Sequence, residues 1–268
     1  MLDIKKIYVD TRFKTADSPS DSDFYIELSR AMNIPDNCVC YVDDIVIPVS
    51  WTMVDDRNSQ LRLSYIDGAS IKTATLTMPS GNYNGIAFSA ALETLMNTVL
   101  EPQKIPVAVA YDLINNKMTV LITDNRDDPS ETPYVIIENS ESFGIPSKLA
   151  RSLNGVLMLD TFFEITPTAP FITYLDLHTT RNLYLTSSSL GSYNTISNFG
   201  CDVIIKKIPV RYNYNEMLFD SSEAGYDFLD VSKRMLRRID FRLQDSYGNI
   251  INMSKNHWSF SLIFQLQG

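Results

Sequence analysis

Scarce reactive groups set the limits on chemistry here. The sequence holds two histidines, His178 and His257, and three cysteines, Cys38, Cys40 and Cys201. Acyl transfer needs a base beside a Ser or Cys nucleophile. His178 ends one predicted strand and His257 begins another, so the expectation is two ordinary strand-end side chains rather than a catalytic pair. No GxSxG elbow, HExxH pair or GxxxxGK[ST] loop occurs. Ser80-Gly81 precedes a helical pattern and could hold an anion at the helix N-terminus; a capped turn is the reading adopted. Carboxylates pair at Asp43-Asp44, Asp55-Asp56 and Asp127-Asp128. Neighbours on a strand face opposite ways, so Asp43 and Asp44 are not expected to form a dyad. Asp124, Asp127, Asp128 and Glu131 could ligate calcium, but their spacing misses the EF-hand pattern and a solvated loop is expected. Cys38 and Cys40 would share one strand face, where bridging is rare. Paired CxxC zinc ligands are missing. The sequence therefore implies no catalytic residue, no metal, no cofactor and no enzyme.

Two other groups of residues point to contact rather than catalysis. Lys206-Lys207, Lys233, Arg234, Arg237 and Arg238 gather late in a chain whose net charge is −9. An acidic surface repels phosphate backbones and anionic lipid. The basic group could face nucleic acid, an acidic patch on a neighbouring subunit, or solvent along a strand. No aromatic-interleaved nucleic-acid motif supports the first of these. Tyr212, Tyr214, Phe219, Tyr226 and Phe228 fall in a run, Arg211 to Tyr226 and just beyond, that reads as a long exposed loop. Monomers seldom leave so many aromatics exposed, and Tyr and Phe are enriched at interface cores. Tyr212, Tyr214, Phe219, Tyr226, Phe228, Lys206, Lys207, Arg237 and Arg238 are thus the candidate contact residues.

The elements that must position them are mostly strands. With 268 residues, 44% hydrophobic and 21% charged, the chain can bury a real core without disulfide staples. Alternating patterns run over Ile7–Asp10, Phe24–Leu28, Cys38–Ile47, Gln60–Ile66 and Thr73–Met78. Phe88, Ala91, Leu92, Leu95, Met96 and Val99 recur at helical spacing, with Asn84 as N-cap and Pro102 ending the helix. Val107–Tyr111 and Met118–Thr123 form a hairpin through Asn115-Asn116. Tyr134–Glu138 is a further strand, and Ser147–Asn154 a short helix closed by Gly155. Later strands are Phe171–Leu177, Leu183–Thr186, Asp202–Val210 and the Ile239-Phe241-Leu243 segment. A turn at 245–249 leads to the last strand, where Trp258, Phe260, Leu262, Phe264 and Leu266 share a face. Strands outside the middle suit a two-sheet antiparallel sandwich, a single jelly roll, with a small α+β insertion. The expected division is 1–70 and 156–268 for the jelly roll and 71–155 for the insertion. No repeat, secretory signal or membrane-span window is seen, and the few cysteines fit a reducing assembly site.

Five stretches, in this order, resemble the penton or minor capsid proteins of Polinton-type viruses, virophages and adintovirus-like elements. They are Ile7-Tyr8-Val9-Asp10-Thr11-Arg12-Phe13 with Ser22-Asp23-Phe24; Val42-Asp43-Asp44-Ile45-Val46-Ile47-Pro48 with Trp51 and Asn58; Pro79-Ser80-Gly81-Asn82-Tyr83-Asn84; Ile204-Ile205-Lys206-Lys207-Ile208-Pro209-Val210; and Ile239-Asp240-Phe241-Arg242-Leu243 with Asp245-Ser246-Tyr247-Gly248-Asn249 and the final aromatic strand. The resemblance implies a homopentamer at the fivefold vertex of a double-stranded DNA virus capsid, touching major capsid protein trimers. A vertex fibre or a host receptor could dock on it. Competing expectations are a receptor- or glycan-binding spike base and a β-sandwich hydrolase; the sequence offers nothing specific for the last.

Overall fold

The computed structural model describes residues 4–67, 70–127, 132–139, 153–159, 161–191, 203–221 and 228–267. In chain order the elements are β1 (Ile4–Asp10), β2 (Asp23–Asn33), β3 (Cys38–Pro48), β4 (Gln60–Asp67), β5 (Ser70–Thr77), α1 (Gly85–Leu100), β6 (Val107–Asp112), β7 (Lys117–Ile122), β8 (Val135–Ile137), α2 (Leu153–Val156), β9 (Phe163–Ile165), β10 (Phe171–Tyr174), β11 (Asn182–Thr186), β12 (Ile204–Pro209), β13 (Met217–Asp220), β14 (Leu229–Asp230), β15 (Met235–Gln244) and β16 (Ser259–Leu266). Contacts group Met1–Trp51 with Thr180–Gly268 in one compact unit and Thr52–Thr179 in another. The expected insertion boundaries, at 70/71 and 155/156, both fall inside the second unit, which also takes in β4, β9 and β10. Among the described residues no helix is long and apolar enough to cross a membrane.

The first unit is the sandwich. One sheet has the order β1-β16-β3-β13, with β14 also on β3; the other runs β12-β11-β15-β2. Every pairing is antiparallel. Successive strands β2 and β3, β12 and β13, and β15 and β16 lie in opposite sheets, as a jelly roll requires. Alternation fills the space between them. Phe24 and Phe241 are register partners on one sheet, 5.6 Å apart between ring centres. Phe260 from the other sheet meets Phe241 edge-on at 4.9 Å, and Trp258 meets Phe24 edge-on at 5.6 Å. Each such ring taken out of water contributes about 2–3 kcal/mol.

Local polar bonds fix the connections. Trp258 Nε1 donates to the Asp21 carbonyl at 2.7 Å, and the Trp258 amide donates to the fully buried Thr11 hydroxyl. Asp240 on β15 accepts from the amides and hydroxyls of Ser188 and Ser189. Burial pushes that carboxyl up, but the bonds from Ser189 and Ser188 outweigh it, so Asp240 sits below its ordinary range. Arg234 donates to the carbonyls of Ser189 and Gly191 and closes the same turn.

A bulge corrects one expectation. Opposite β16, the register of β3 shifts between Asp44 and Val42. Val42 and Ile45 both point inward, at 3% and 0% exposure. The extra residue between them breaks strict alternation, and Asp43 and Asp44 are both half-buried rather than on opposite faces. Asp43 is held by Lys6 at 2.5 Å.

The second unit packs α1 among two further sheets, β5-β4-β8-β9 and β10-β7-β6. Phe88, Leu92, Met96 and Leu100, one helical turn apart, are all fully buried. Asn84 caps the helix, accepting from the Ala87 amide at 2.8 Å. On the other flank Asn97 donates to the Val107 carbonyl and accepts from the Val107 amide, each at 2.8 Å. Glu93 accepts from the Val109 amide at 2.7 Å. These two side chains give strand β6 hydrogen bonds that a neighbouring strand would otherwise supply. Gly85 is required at the helix start, since a Cβ there would lie 2.0 Å from the Tyr111 ring. The Asn115-Asn116 turn forms as expected, with Asn116 left-handed at φ 52°. Strand β9 has no counterpart in the sequence reading: three residues are too few for a visible alternation. Of the helix expected over 147–154, residues 147–152 lie outside the described residues; Leu153–Val156 is a single turn that includes Gly155 rather than ending before it.

Candidate assembly surface

Residues 211–221 do not form a simple loop. Strand β13 pairs with the end of β3, Phe219 opposite Val46 and Met217 opposite Pro48. Leu218 points into the core at 1% exposure, while Met217 and Phe219 face out at 55% and 54%. The alternation is hard to see because the strand has only four residues, preceded by Glu216 and ending on Asp220. The tip before it is folded back: the Asn215 amide donates to the Val49 carbonyl, and the Val49 amide donates to the Glu216 carbonyl. That places Tyr212 and Tyr214 in solvent next to β13. Phe228 precedes β14 and packs at a tilt against Tyr41 of β3, 4.9 Å between ring centres. Tyr226 lies outside the described residues.

Met217, Phe219 and Phe228 share the outward face of one sheet. Its inward face is given by Val9, Cys40, Val42, Ile45, Ile47, Phe260, Leu262 and Phe264, all nearly or fully buried. The outward set includes Met217, Phe219, Val46, Tyr41, Phe228, the nearly buried Ile263 and, on β1, Tyr8, together with Lys6, Asp43 and Asp44. Tyr8 is exposed over most of its surface and the Lys6 ammonium sits 5.3 Å above its ring. Sequence reasoning placed Tyr8 on a strand but did not select it; the signal was its alternation against Ile7 and Val9. A sheet face this rich in exposed aromatics can bury apolar area against a flat partner.

The basic candidates lie elsewhere in the unit, and Lys206, Arg237 and Arg238 are already matched. Lys206 is withdrawn from the surface: its side chain is 2% exposed and its ammonium is 3.6 Å from the Asp220 carboxylate. Here the sequence reading, which counted Lys206 with the exposed basic group, is corrected. Strand β12 places Lys206 toward β13, so the pair ties an edge of one sheet to an edge of the other. Lys207, next along, is exposed. Arg237 pairs with Glu27 at 3.1 Å, Arg238 with Asp17 at 2.5 Å, and Arg242 with Asp23 at 3.3 Å. Arg238 also lies 4.0 Å over the Tyr25 ring. The hydrogen bond to Asp17 raises the Arg238 pKa further, and Asp17 is lowered, first by the Thr15 hydroxyl and then by Arg238. A phosphate or a neighbour's carboxylate would have to displace these partners, so the strip behaves as a paired, solvated strand face.

The remaining reactive groups do not converge. Asp124 pairs with Arg126 at 2.8 Å and Asp127 with Lys104, while Asp128 and Glu131 lie outside the described residues. Among the described residues no group of three or more His, Cys, Asp or Glu could hold a metal ion. Cys38 and Cys40 are buried free thiols, and burial pushes the Cys40 thiol far up; Cys201 lies outside the described residues. His178 belongs to the second unit and His257 to the first.

No protein-family model matches the sequence, and no curated protein does. Solved structures do match it by shape. The crystal structure of the selenomethionine-labelled mavirus penton protein aligns with a TM-score of 0.54 at 8% identity, covering 97% of this chain and 99% of that one. A chain of the Sputnik virophage, solved by cryo-EM, aligns with a TM-score of 0.45 at 12% identity, covering 97% and 98%. At 8% identity the likeness to the mavirus protein is one of fold.

Proposed function

We propose that this chain is a structural component of a virus particle: a penton-type minor capsid protein that forms homopentamers at the fivefold vertices of a double-stranded DNA virus capsid. One observation carries the reading. The fold likeness to the mavirus penton protein runs end to end, over 97% of this chain and 99% of that one. Two chains of such different sequence share a mostly antiparallel architecture over their whole lengths, which favours a shared mechanical role over a shared reaction.

The physical chemistry agrees with that role. A jelly roll is a rigid brick with few free strand edges. A ring of identical copies uses a heterologous contact whose rotation closes. The outward aromatic face supplies one side of it, with Tyr212, Tyr214, Phe219, Phe228 and Tyr8 at the centre and Lys207 toward the rim. Tyr226 joins them on sequence grounds alone. Arg237 and Arg238, with their carboxylates, are left for contacts to major capsid protein trimers or a vertex fibre. Native mass spectrometry and negative-stain imaging of the purified chain test the proposal. The expected species is a pentamer, and Phe219→Arg should dissociate it while leaving the melting temperature of the isolated chain unchanged. A strictly monomeric chain at high concentration, with its vertex neighbours present, overturns the proposal.

A further inference from the structure

The sheet β5-β4-β8-β9 of the second unit ends on β5, which is paired along one side only. Strand β5 has eight residues, all in unbroken antiparallel register with β4, from Gln60 opposite Thr77 to Asp67 opposite Ser70. The bonds on either side of β4 fix which main-chain groups of β5 point away from it. Just beyond the strands, the Met78 amide donates to the Ser59 carbonyl across the same ladder. The Glu138 amide donates to the Arg62 carbonyl, so Arg62 turns its main chain toward β8 and away from its β5 partner, Thr75. Antiparallel partners alternate between bonded and non-bonded pairs. Ile71, Thr73, Thr75 and Thr77 are therefore the non-bonded partners of β4, and their N–H and C=O groups point off the open edge. These groups have no hydrogen-bond partner among the described residues, and all four side chains are exposed, Ile71 at 66%.

Proteins blunt their long edges, because a bare one pairs with other chains. Other sheet ends of this chain are blunted in that way. At β6, Asn97 and Glu93 occupy Val107 and Val109. Strand β1 carries Lys5 and Lys6, β12 ends on Pro209, and β2 is broken by a register shift. Strand β9 has only three residues and β10 only four. Strand β5 has no proline, no shift and one charge, Lys72, which lies opposite Tyr65 in a bonded pair with β4. Alternating donors and acceptors along an edge are matched by one chemistry, another extended main chain. On one face the incoming strand meets Ala74 and Leu76; on the other it meets Ile71 and the threonines. It is therefore uncharged, apolar on the first face and β-branched on the second. Two β5 edges pair only about a two-fold axis, which a ring of five lacks, so in such a ring every β5 edge stays open to a different chain.

We propose that β5 is a docking edge that takes up an extended, uncharged segment of a different polypeptide as an added strand, bonded to the main chain of Ile71, Thr73, Thr75 and Thr77. The choice of a different polypeptide over a second copy rests on the proposed ring; the docking edge itself does not. The probe is a capped octapeptide alternating threonine and valine, and its control is a twin N-methylated along both edges. Amide hydrogen exchange on the full chain, read by NMR, tests the proposal. With the peptide, the amides of Ile71, Thr73, Thr75 and Thr77 should slow saturably, while those of Ala74 and Leu76, already bonded to β4, stay as they are. The methylated twin should leave all of them unchanged. Thr73→Pro removes an outward N–H without touching the β4 ladder, so it should keep the parent melting temperature and weaken peptide binding by about tenfold or more. No saturable slowing, equal binding of the methylated twin, or binding unmoved by Thr73→Pro overturns the inference. Slowing of the same amides with protein concentration alone, without peptide, makes a second copy the occupant and overturns the choice of partner. Pentamers that bind no peptide refute this inference alone, and a monomeric chain that binds it refutes only the ring.

Discussion

Lys206→Met separates a buried strut from a contact residue. The Lys206 side chain is 2% exposed and the Asp220 side chain 17%, with 3.6 Å between their charges. Removing one member of a buried pair strands the other in a poorly solvated place, at a cost of about 3–5 kcal/mol. Asp220 retains some access to water, so the lower end, about 3 kcal/mol, is the expected loss. For a unit of this size, that should lower the melting temperature by about 10 °C. The double variant Lys206→Met/Asp220→Leu removes both charges and should recover stability to within about 1–2 kcal/mol of the parent. Urea and thermal unfolding at one fixed protein concentration, followed by tryptophan emission from buried Trp258, read both variants against the parent. If Lys206→Met melts within about 2 °C of the parent, the pair is screened and the reasoning fails. If it melts normally yet loses its oligomer, Lys206 is a contact residue after all.

Two further changes test the other polar devices. Asn97→Leu should destabilise the second unit by about 1–3 kcal/mol, because the Val107 amide and carbonyl lose their partners at the edge of β6; hydrogen exchange at the Val107 amide should accelerate, and unchanged protection would show that the helix does not guard that edge. Asp240 has a folded pKa below its unfolded value of about 3.9, so its contribution is complete above that value and is lost as pH falls through the lowered one. Asp240→Asn should therefore cost most at neutral pH and converge with the parent in acid, as followed by thermal melts from pH 7 to pH 2; a difference that stays constant with pH would count against the carboxylate as the anchor of the 187–191 turn.

The parts of this fold that could be read from residues are those where one physical signal acts alone. Phe88, Leu92 and Met96 recur at helical spacing, and Asn84 caps that helix, so α1 is legible. Phe260, Leu262 and Phe264 alternate along β16, and a turn at Gly248 with φ 80° precedes it. The reading failed where a second effect interfered. A bulge in β3 put Asp43 and Asp44 out of phase with the period of two. Strand β13 is short and flanked by charge, so its burial pattern resembled a loop. Lys206 looked exposed because lysine usually is. Only the third dimension brings Asp220, fourteen residues on, within reach of it.

The same contrast explains why an assembly surface is harder to see in a sequence than an active site. Catalysis demands particular atoms at particular distances, which leaves motifs. A contact face demands only apolar area in one plane, and that plane is drawn from strands far apart in the chain: Tyr8 on β1, Tyr41 on β3, Phe219 on β13, Ile263 on β16. None of these residues is unusual alone. Alternation hides each of them as half of an ordinary strand pattern, since one side of every strand must face out. What distinguishes the face is that exposed aromatics surround its Lys6-Asp43 pair, where the other sheet carries the Arg237-Glu27, Arg238-Asp17 and Arg242-Asp23 pairs. Two faces of one sandwich, built on the same alternation, thus differ in what they avoid. The paired charges keep their face in water at little cost, whereas the aromatic face gains by leaving it, and a second copy of the chain is the partner that the proposed ring always supplies.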